Sequence, residues 1–344
     1  MTGAPVNLFA QQEANRRRSF WLVVAFVLFF AWLGFGGDWI YWQLTRTGEM
    51  GGYRHVFPWF GLGLTAAATI FAFWATRTGA QRVLWSTGAT ELTSPATPPE
   101  RQLVNVVEEM AIAAGLPKPR VYVIPDSDPN ALAAGLDPAS SHIAVTEGLL
   151  RACSRDELQA VIGHEMAHIR NFDTRLLTLL AGLVGAVALV SDGLGRVLRG
   201  GMRVGGGGRR SGGGKKGNPL VLLVLALWII SWLLAPLIVR LLALGVSRQR
   251  EYLADATSAQ LTRNPMALAT ALEKIEHAHE PTSSIKKGTA HLCIADPLGR
   301  RVSSREGRLA DALGTHPPMA IRVARLKAMA YQELKQSGSL TATS

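Results

Sequence analysis

The chain has 344 residues, enough for one large domain or two smaller ones; 48% of them are hydrophobic and the formal net charge is +11 at pH 7. Its 2 cysteines, far apart and outside any C-x-x-C pair, argue against a disulfide framework and are typical of a reducing compartment. The basic residues flank apolar segments without a nucleic-acid recognition motif, so we expect anionic lipids and no nucleic acid as partners.

Two long apolar runs near the N-terminus predict membrane-spanning helices. Residues 20–37 and 56–75 carry no charge, and each run is long enough to cross a hydrocarbon core of about 30 Å. The first run is longer than the apolar core of a cleaved signal peptide, so we expect a signal anchor. The arginine triplet at 16–18 precedes this run, and the positive-inside bias predicts that it stays in the cytoplasm. The second crossing then returns the chain to the cytoplasm near Arg77.

A small sheet is predicted after these segments. Residues 86–99 are rich in Ser, Thr and Pro and are typical of a linker. A helix is predicted over 100–114, because Gly115 with a proline beyond it is a usual stop signal. Short runs of β-branched, aromatic or small residues then predict three strands, at 120–124, 131–136 and 142–146.

The sequence H-E-M-A-H at 164–168 matches the pattern H-E-x-x-H. On a helix, His164 and His168 lie on one face and can hold one metal ion, while Glu165 can polarise a metal-bound water. The sequence S-R-D-E at 154–157 has the spacing of a capping box and predicts the start of that helix. Gly163 lets another element approach closely. A zinc peptidase is the chemistry that this pattern indicates.

Two further apolar runs, 176–190 and 220–244, flank a Gly-rich basic linker at 201–217 that lacks the spacing of a phosphate-binding loop. If both runs cross the membrane, the basic linker faces the periplasm, against the positive-inside bias. The alternative is a hairpin that enters the membrane and returns to the same side. The tail is predicted to be mostly helical, over about 264–279 and from 317–318 to about 334.

A catalytic zinc ion takes three protein ligands and keeps a fourth position for water. A metzincin would have Gly and His where Asn171 and Thr174 stand, so that class is excluded. The sequence S-R-Q-R-E-Y-L-A-D at 247–255 offers a separate helix, with Glu251 and Asp255 on one face. Glu251 can bind the metal while Asp255 accepts from the outer N–H of a ligand histidine. A solvated, salt-bridged face is the alternative interpretation.

The chain resembles the HtpX-type membrane metalloproteases, relatives of the CAAX prenyl endopeptidases, over nearly its whole length. The similarity lies in the N-terminal membrane segments, H-E-M-A-H, the hydrophobic pair, S-R-Q-R-E-Y-L-A-D and a late T-H-P-P. The resemblance implies one Zn²⁺ per chain with His164, His168 and Glu251 as ligands. It further implies Glu165 as the general base and Asp255 as an acid that supports a ligand.

The same resemblance implies roles for four more residues. Asn130 and Ala131 match an edge-strand motif that holds the substrate, and His316, in T-H-P-P, matches a histidine that helps to stabilise the transition state. Arg322 matches an arginine that orients the acids of the active site. Leu132 stands where the family has an aromatic residue, so side-chain preference departs from the family pattern there.

The expected fold class is α+β: a mainly helical integral membrane protein with a zincin-like catalytic domain that carries a small, edge-accessible β-sheet. Asp173 matches a family aspartate after the motif helix, for which a structural role is expected. Four parts are expected: a membrane anchor, a first catalytic part, a hydrophobic pair with its linker, and a second catalytic part, at 1–85, 86–175, 176–246 and 247–344.

The function expected from these observations is that of a multi-pass zinc metalloendopeptidase of the inner membrane, with its catalytic domain in the cytoplasm. It would cleave membrane or misfolded proteins in quality control or a stress response. One alternative is a narrow-specificity processing protease of the prenyl-protein type. Another is a non-catalytic membrane scaffold with structural zinc, against which Glu165 argues, because a structural site needs no base.

Overall fold

The computed structural model describes residues 8–46, 54–183, 223, 225–231, 234, 248–278, 284, 292–295 and 317–336. The described residues are mostly helical, with one small mixed sheet. They divide into two compact units. The described parts of Met1–Ser19, Thr78–Ala181 and Ala243–Ser344 form one unit, and those of Phe20–Arg77 and Gly182–Leu242 form the other. The four-part division expected above stays a prediction.

Two long helices come first, α1 at Leu8–Arg46 and α2 at Trp59–Ser86. By length and composition, Ala10–Gln43 and Trp59–Ser86 are able to cross a membrane, which agrees with the two predicted apolar segments. The runs predicted at 176–190 and 220–244 lie partly outside the described residues, and the Gly-rich linker lies wholly outside them. The described parts of the two runs, at 176–183, 223, 225–231 and 234, are helical.

Asp38 explains where α2 begins within the second unit. Its carboxylate accepts from the backbone N–H groups of Phe60 (3.2 Å) and Gly61 (2.5 Å), which are otherwise unsatisfied at a helix start. His55 Nε2 lies 2.7 Å from the same carboxylate. Gly34 faces this turn, because a Cβ there would lie 2.6 Å from the Phe60 carbonyl oxygen. The two helices therefore approach closely at a pair of glycines.

The sheet lies in the first unit and contains four strands: β1 at Thr90–Glu91, β2 at Arg120–Ile124, β3 at Ala131–Ala134 and β4 at His142–Thr146. Their order is β1-β2-β4-β3, with β2 parallel to β4 and the other pairs antiparallel. The strands predicted at 120–124 and 142–146 are confirmed. The strand predicted at 131–136 is shorter in the structure, where β3 ends at Ala134. The prediction of a linker over 86–99 is wrong at Thr90–Glu91, which form β1. A strand of two residues has no periodicity by which the sequence could indicate it.

Six further helices that are described over their whole length belong to this unit: α3 at Pro98–Ala114, α4 at Glu147–Ala152, α5 at Arg155–Arg170, α6 at Arg248–Thr262, α7 at Pro265–His277 and α8 at Met319–Gln336. The predicted capping box is present, since the Ser154 hydroxyl accepts from the Glu157 amide and Glu157 accepts from the Ser154 amide. Gly115 ends α3 at φ 66°, as its sequence indicated. The short helix α4 was not predicted.

Helix α5 lies at the centre of the first unit's core. Apolar side chains of α3, α7 and the sheet surround it, and every residue from Ala160 to Ile169 is buried. A helix with apolar contacts on all sides is buried, and the packing of its neighbours fixes its position. The polar residues of the H-E-x-x-H motif are thereby held in the protein interior.

Candidate metal centre

The approach of α6 and α3 to α5 depends on Gly163. A Cβ at this position would lie 3.0 Å from Ser258 Oγ and 3.1 Å from Met110 Cε, tighter than ordinary van der Waals contact. The Ser258 hydroxyl also donates to the Ala160 carbonyl oxygen at 2.6 Å. The close approach expected at Gly163 is confirmed, and it brings the polar face of α6 against the motif.

Three side chains meet at this crossing of α5 and α6. His164 Nε2 and His168 Nε2 lie 3.1 Å apart. The Glu251 carboxylate oxygens lie 3.7 Å from His164 Nε2 and 3.6 Å from His168 Nε2. Two nitrogens bound to one tetrahedral zinc at about 2.0–2.1 Å would themselves lie about 3.3 Å apart. The spacing of these buried atoms therefore suits one small cation.

The outer nitrogen of each imidazole faces a carboxylate. His164 Nδ1 lies 3.0 Å from Asp255 Oδ1, and His168 Nδ1 lies 3.0 Å from Asp173 Oδ2. When Nδ1 carries the proton toward a carboxylate, the lone pair of Nε2 points the other way. The two Nε2 lone pairs then face each other and the Glu251 carboxylate. Such a donor set fits a divalent metal ion that prefers nitrogen and oxygen ligands.

The charge balance of the site also favours a cation. Burial opposes a charge on His168, but the carboxylates of Glu251 and Asp173 outweigh it and raise the pKa of His168 to about 9. His164 differs, because its burial lowers its pKa to about 4 against the opposing effect of Asp255. His168 therefore carries a proton readily and His164 does not. The surrounding carboxylates stabilise one positive charge at this pair of imidazoles.

Arg322, on α8, lies beneath these acids and is fully buried. Its Nε and Nη2 donate to the two oxygens of Asp255 at 2.9 and 2.7 Å, and its Nη1 lies 3.6 Å from Glu251 Oε2. This two-pronged contact holds the pKa of Asp255 at about 2, although burial works in the opposite direction. The structure therefore brings Arg322 together with Asp255 and Glu251.

Glu165 lies beside the candidate ligands and is 1% exposed. Burial raises the pKa of its carboxyl to about 7, while the charge of His168 opposes the shift. Its Oε1 atom has no hydrogen-bond partner among the described residues. Glu165, His168 and Glu251 line one small cavity together with Ala133 of β3 and Cys293. A carboxyl that titrates near neutrality beside such a cavity has the properties of a general base.

The outer edge of β3 is paired with another part of the same chain. Leu132 forms an antiparallel bridge with Cys293, and the Ile294 N–H donates to the Ala131 carbonyl oxygen at 2.9 Å. The Asn130 side-chain amide donates to the Ala295 carbonyl oxygen at 3.1 Å. The edge expected to hold a substrate thus holds residues 292–295 in this structure. No sequence pattern indicated this pairing.

His316 lies outside the described residues, so its predicted role stays a prediction. Asp173 follows α5, and the structure places its carboxylate against His168, beside the candidate ligands. The structural role expected for Asp173 stays a prediction. Asn15, whose amide contacts Asp173, was missed altogether, because a lone Asn in a polar stretch of α1 carries no signal.

The fold and this arrangement of two histidines and two glutamates define a candidate hydrolytic centre of the H-E-x-x-H class. Residues 98–330 match the family described as Peptidase family M48. The chain belongs to this family of peptidases.

Two relatives of the same printed name are similar to this chain over most of its length. The chain is 38% identical over 322 residues to a "Protease HtpX homolog" of Streptococcus gordonii, which covers 94% of this chain and 100% of the relative. It is also 38% identical over 326 residues to a "Protease HtpX homolog" of Thermoanaerobacter pseudethanolicus, covering 94% of this chain and 98% of the relative. A crystal structure of S. mikatae Ste24p matches 92% of this chain and 67% of its own, at 19% identity and a TM-score of 0.42.

Proposed function

We propose that the protein is a membrane-anchored zinc endopeptidase that cleaves membrane or misfolded proteins at the cytoplasmic face. The observation that carries this proposal is the convergence of His164, His168 and Glu251 beside the buried carboxyl of Glu165. A structural zinc site needs no base, whereas hydrolysis does. The family and the HtpX homologues support proteolysis as the reaction.

In the proposed mechanism, His164, His168 and Glu251 would hold Zn²⁺, which supplies Lewis acidity and a water of lowered pKa. Glu165 takes a proton from the attacking water and later delivers it to the leaving amine. Burial raises the pKa of this carboxyl in the metal-free protein, which favours its acceptance of a proton from the attacking water. Asp255, which accepts two hydrogen bonds from Arg322, faces the outer Nδ1 atom of His164 and orients that ring. His316 would stabilise the transition state, by resemblance to the family.

The substrate is proposed to bind as an added strand on the edge of β3. The support is that this edge already pairs with residues 292–295 through one antiparallel bridge and two hydrogen bonds, made by the Ala131 carbonyl and the Asn130 amide. Main-chain pairing gives affinity with little dependence on sequence, which suits many unfolded substrates. In this proposal residues 292–295 leave the edge when a substrate arrives.

Anchoring in the inner membrane rests on the two candidate spans and on the basic residues that flank them. The arginines at 16–18 favour a cytoplasmic position for the start of α1 and contact with anionic lipids. A role in quality control or stress response follows from the HtpX resemblance. Labelling of a cysteine introduced by Ser211→Cys, from each side of sealed vesicles, would show which side the Gly-rich linker faces.

The proposal is tested with the full chain in detergent and a casein-type substrate. Glu165→Gln should keep one zinc per chain and lose cleavage, because the ligands stay and the base is removed. Glu251→Ala should lose the zinc as well. A Glu165→Gln protein that cleaves as fast as the unaltered chain would contradict the proposal. Unchanged zinc content in Glu251→Ala would contradict the ligand assignment.

A further inference from the structure

The corner that follows α5 turns Asp173 back toward the motif. His168 and Asp173 are five positions apart, and in a continuous helix they would lie about 140° apart around the axis. Phe172 adopts φ 58°, a left-handed conformation that non-glycine residues rarely take, and it breaks the helix before residue 173. Asp173 Oδ2 consequently lies 3.0 Å from His168 Nδ1.

The second oxygen of Asp173 is held by two other elements. Asn15 Nδ2, on α1, donates to Asp173 Oδ1 at 2.7 Å and to the Asn171 carbonyl oxygen at 2.9 Å. Arg250 Nη1, on α6, lies 3.5 Å from the same Oδ1 atom. Asn15, Asp173 and Arg250 are all buried. Each amide hydrogen of Asn15 therefore has an acceptor at the corner, and both carboxylate oxygens of Asp173 have partners.

Two neighbours of Asn15 dock α1 on the same corner. Gln12 Nε2 donates to the Arg170 carbonyl oxygen at 2.9 Å, and the Arg16 guanidinium lies 4.2 Å from the centre of the Phe172 ring. Gln12, Asn15 and Arg16 share one face of α1, because residues three and four apart lie one above the other. Of these three, Asn15 alone reaches the carboxylate that contacts His168.

We propose that Asn15 is a positioning residue for the metal centre, acting on His168 through Asp173. The inference rests on the proposed zinc site. A ligand histidine keeps its tautomer and ring orientation through the acceptor at its outer N–H, and that acceptor must itself be held. Asn15 fixes the Asp173 carboxylate in the orientation that faces His168. The helix that carries the first candidate span thus contributes a side chain to the support of the zinc ligands.

The test is the zinc dissociation constant of the full chain in detergent, measured against a chromophoric chelator. Asp173→Ala should weaken binding about 10- to 100-fold, the usual effect of removing such a partner. Asn15→Leu, which keeps most of the volume and removes both donors, should weaken it about 3- to 10-fold. The double variant should bind no more weakly than Asp173→Ala, because Asn15 acts through Asp173.

Gln12→Ala is the matched control, since it removes a contact of α1 with the same corner but none with Asp173. Its zinc affinity should stay within about twofold of the unaltered chain. Stoichiometry reports the folded fraction while the dissociation constant reports the site, so partial misfolding does not obscure the result. In the Co²⁺-loaded protein, Asn15→Leu should also shift the visible ligand-field bands, which docking of α1 alone would leave unchanged.

Three results would overturn the inference. The first is unchanged zinc affinity in Asn15→Leu, the second is an equal loss in Gln12→Ala, and the third is an additive loss in the double variant. An unaltered chain that binds no zinc would refute the proposed function itself and this inference with it. A chain that binds zinc tightly in every variant refutes only the role of Asn15.

Discussion

Arg322 compensates the negative charge beneath the metal centre, and its removal gives a strong test of the described geometry. In Arg322→Met the side-chain volume is largely kept, but the Asp255 carboxylate loses two hydrogen bonds and Glu251 loses a cation at 3.6 Å. Breaking one partner out of a buried pair costs about 3–5 kcal/mol. For a unit of this size each kcal/mol lowers the unfolding midpoint by about 2–4 °C, so we expect a fall of roughly 6–20 °C.

The measurement is thermal unfolding of the full chain in detergent, with and without zinc. The quantity compared is the midpoint of the transition that shifts when zinc is added. The fall should be larger without zinc, because a bound dication itself neutralises Glu251. Arg325→Met on the same helix is the control: Arg325 is exposed and stacks on Tyr252 at 3.8 Å, a contact that contributes about 0.5–1 kcal/mol. If Arg322→Met lowers the midpoint no more than this control, the assigned charge compensation is wrong.

Glu165, Gly148 and Ile294 provide three more tests of the described structure. In the zinc-free protein the pKa of Glu165 is raised to about 7 from its ordinary 4.5, so the unfolded state loses this proton at a lower pH and the free energy of unfolding falls as the pH rises between those values. Glu165→Gln should remove about 3 kcal/mol of that fall, measured by denaturant unfolding at pH 5 and 8. An equal pH dependence in both proteins would count against this prediction. At Gly148 an added Cβ would collide with the Ser127 carbonyl group, so Gly148→Ala should lower the unfolding free energy by at least about 1–3 kcal/mol in chemical denaturation, and a neutral change would contradict the close approach. Ile294→Pro removes the N–H that donates to Ala131, a hydrogen bond that contributes about 0.5–1.5 kcal/mol net. Because residues 292–295 would then leave the β3 edge more often, kcat/KM for an unfolded substrate should rise by about 2- to 12-fold. A lowered kcat/KM would show that the segment assists substrate binding.

Local signals in the sequence predicted the elements that carry the site. The capping box at Ser154 marks the start of α5, and the β-branched and aromatic run at 120–124 marks β2, because each depends on residues a few positions apart. H-E-x-x-H and E-x-x-x-D are likewise local patterns, each setting two side chains on one helix face. For these, spacing along the chain is nearly equivalent to position in space.

The remaining features depend on contacts between distant residues. Asn15 and Asp173 are separated by 158 positions, and no local pattern relates them. The pairing of Leu132 with Cys293 is equally remote, and a run of four residues is too short to show a strand period. The left-handed Phe172 was also unforeseen, because glycine or asparagine is the usual residue there. These features arise from packing, which a single sequence does not report.

The segment 292–295, which pairs with the edge of β3, gives the proposed enzyme an internal competitor. A segment tethered to the same chain competes for the β3 edge at a fixed effective concentration, whereas a substrate competes at its own concentration. The apparent affinity for substrate then equals the intrinsic affinity multiplied by the fraction of molecules whose edge is vacant. Cleavage would therefore follow the abundance of extended, unfolded segments, and folded neighbours with paired strands would be spared.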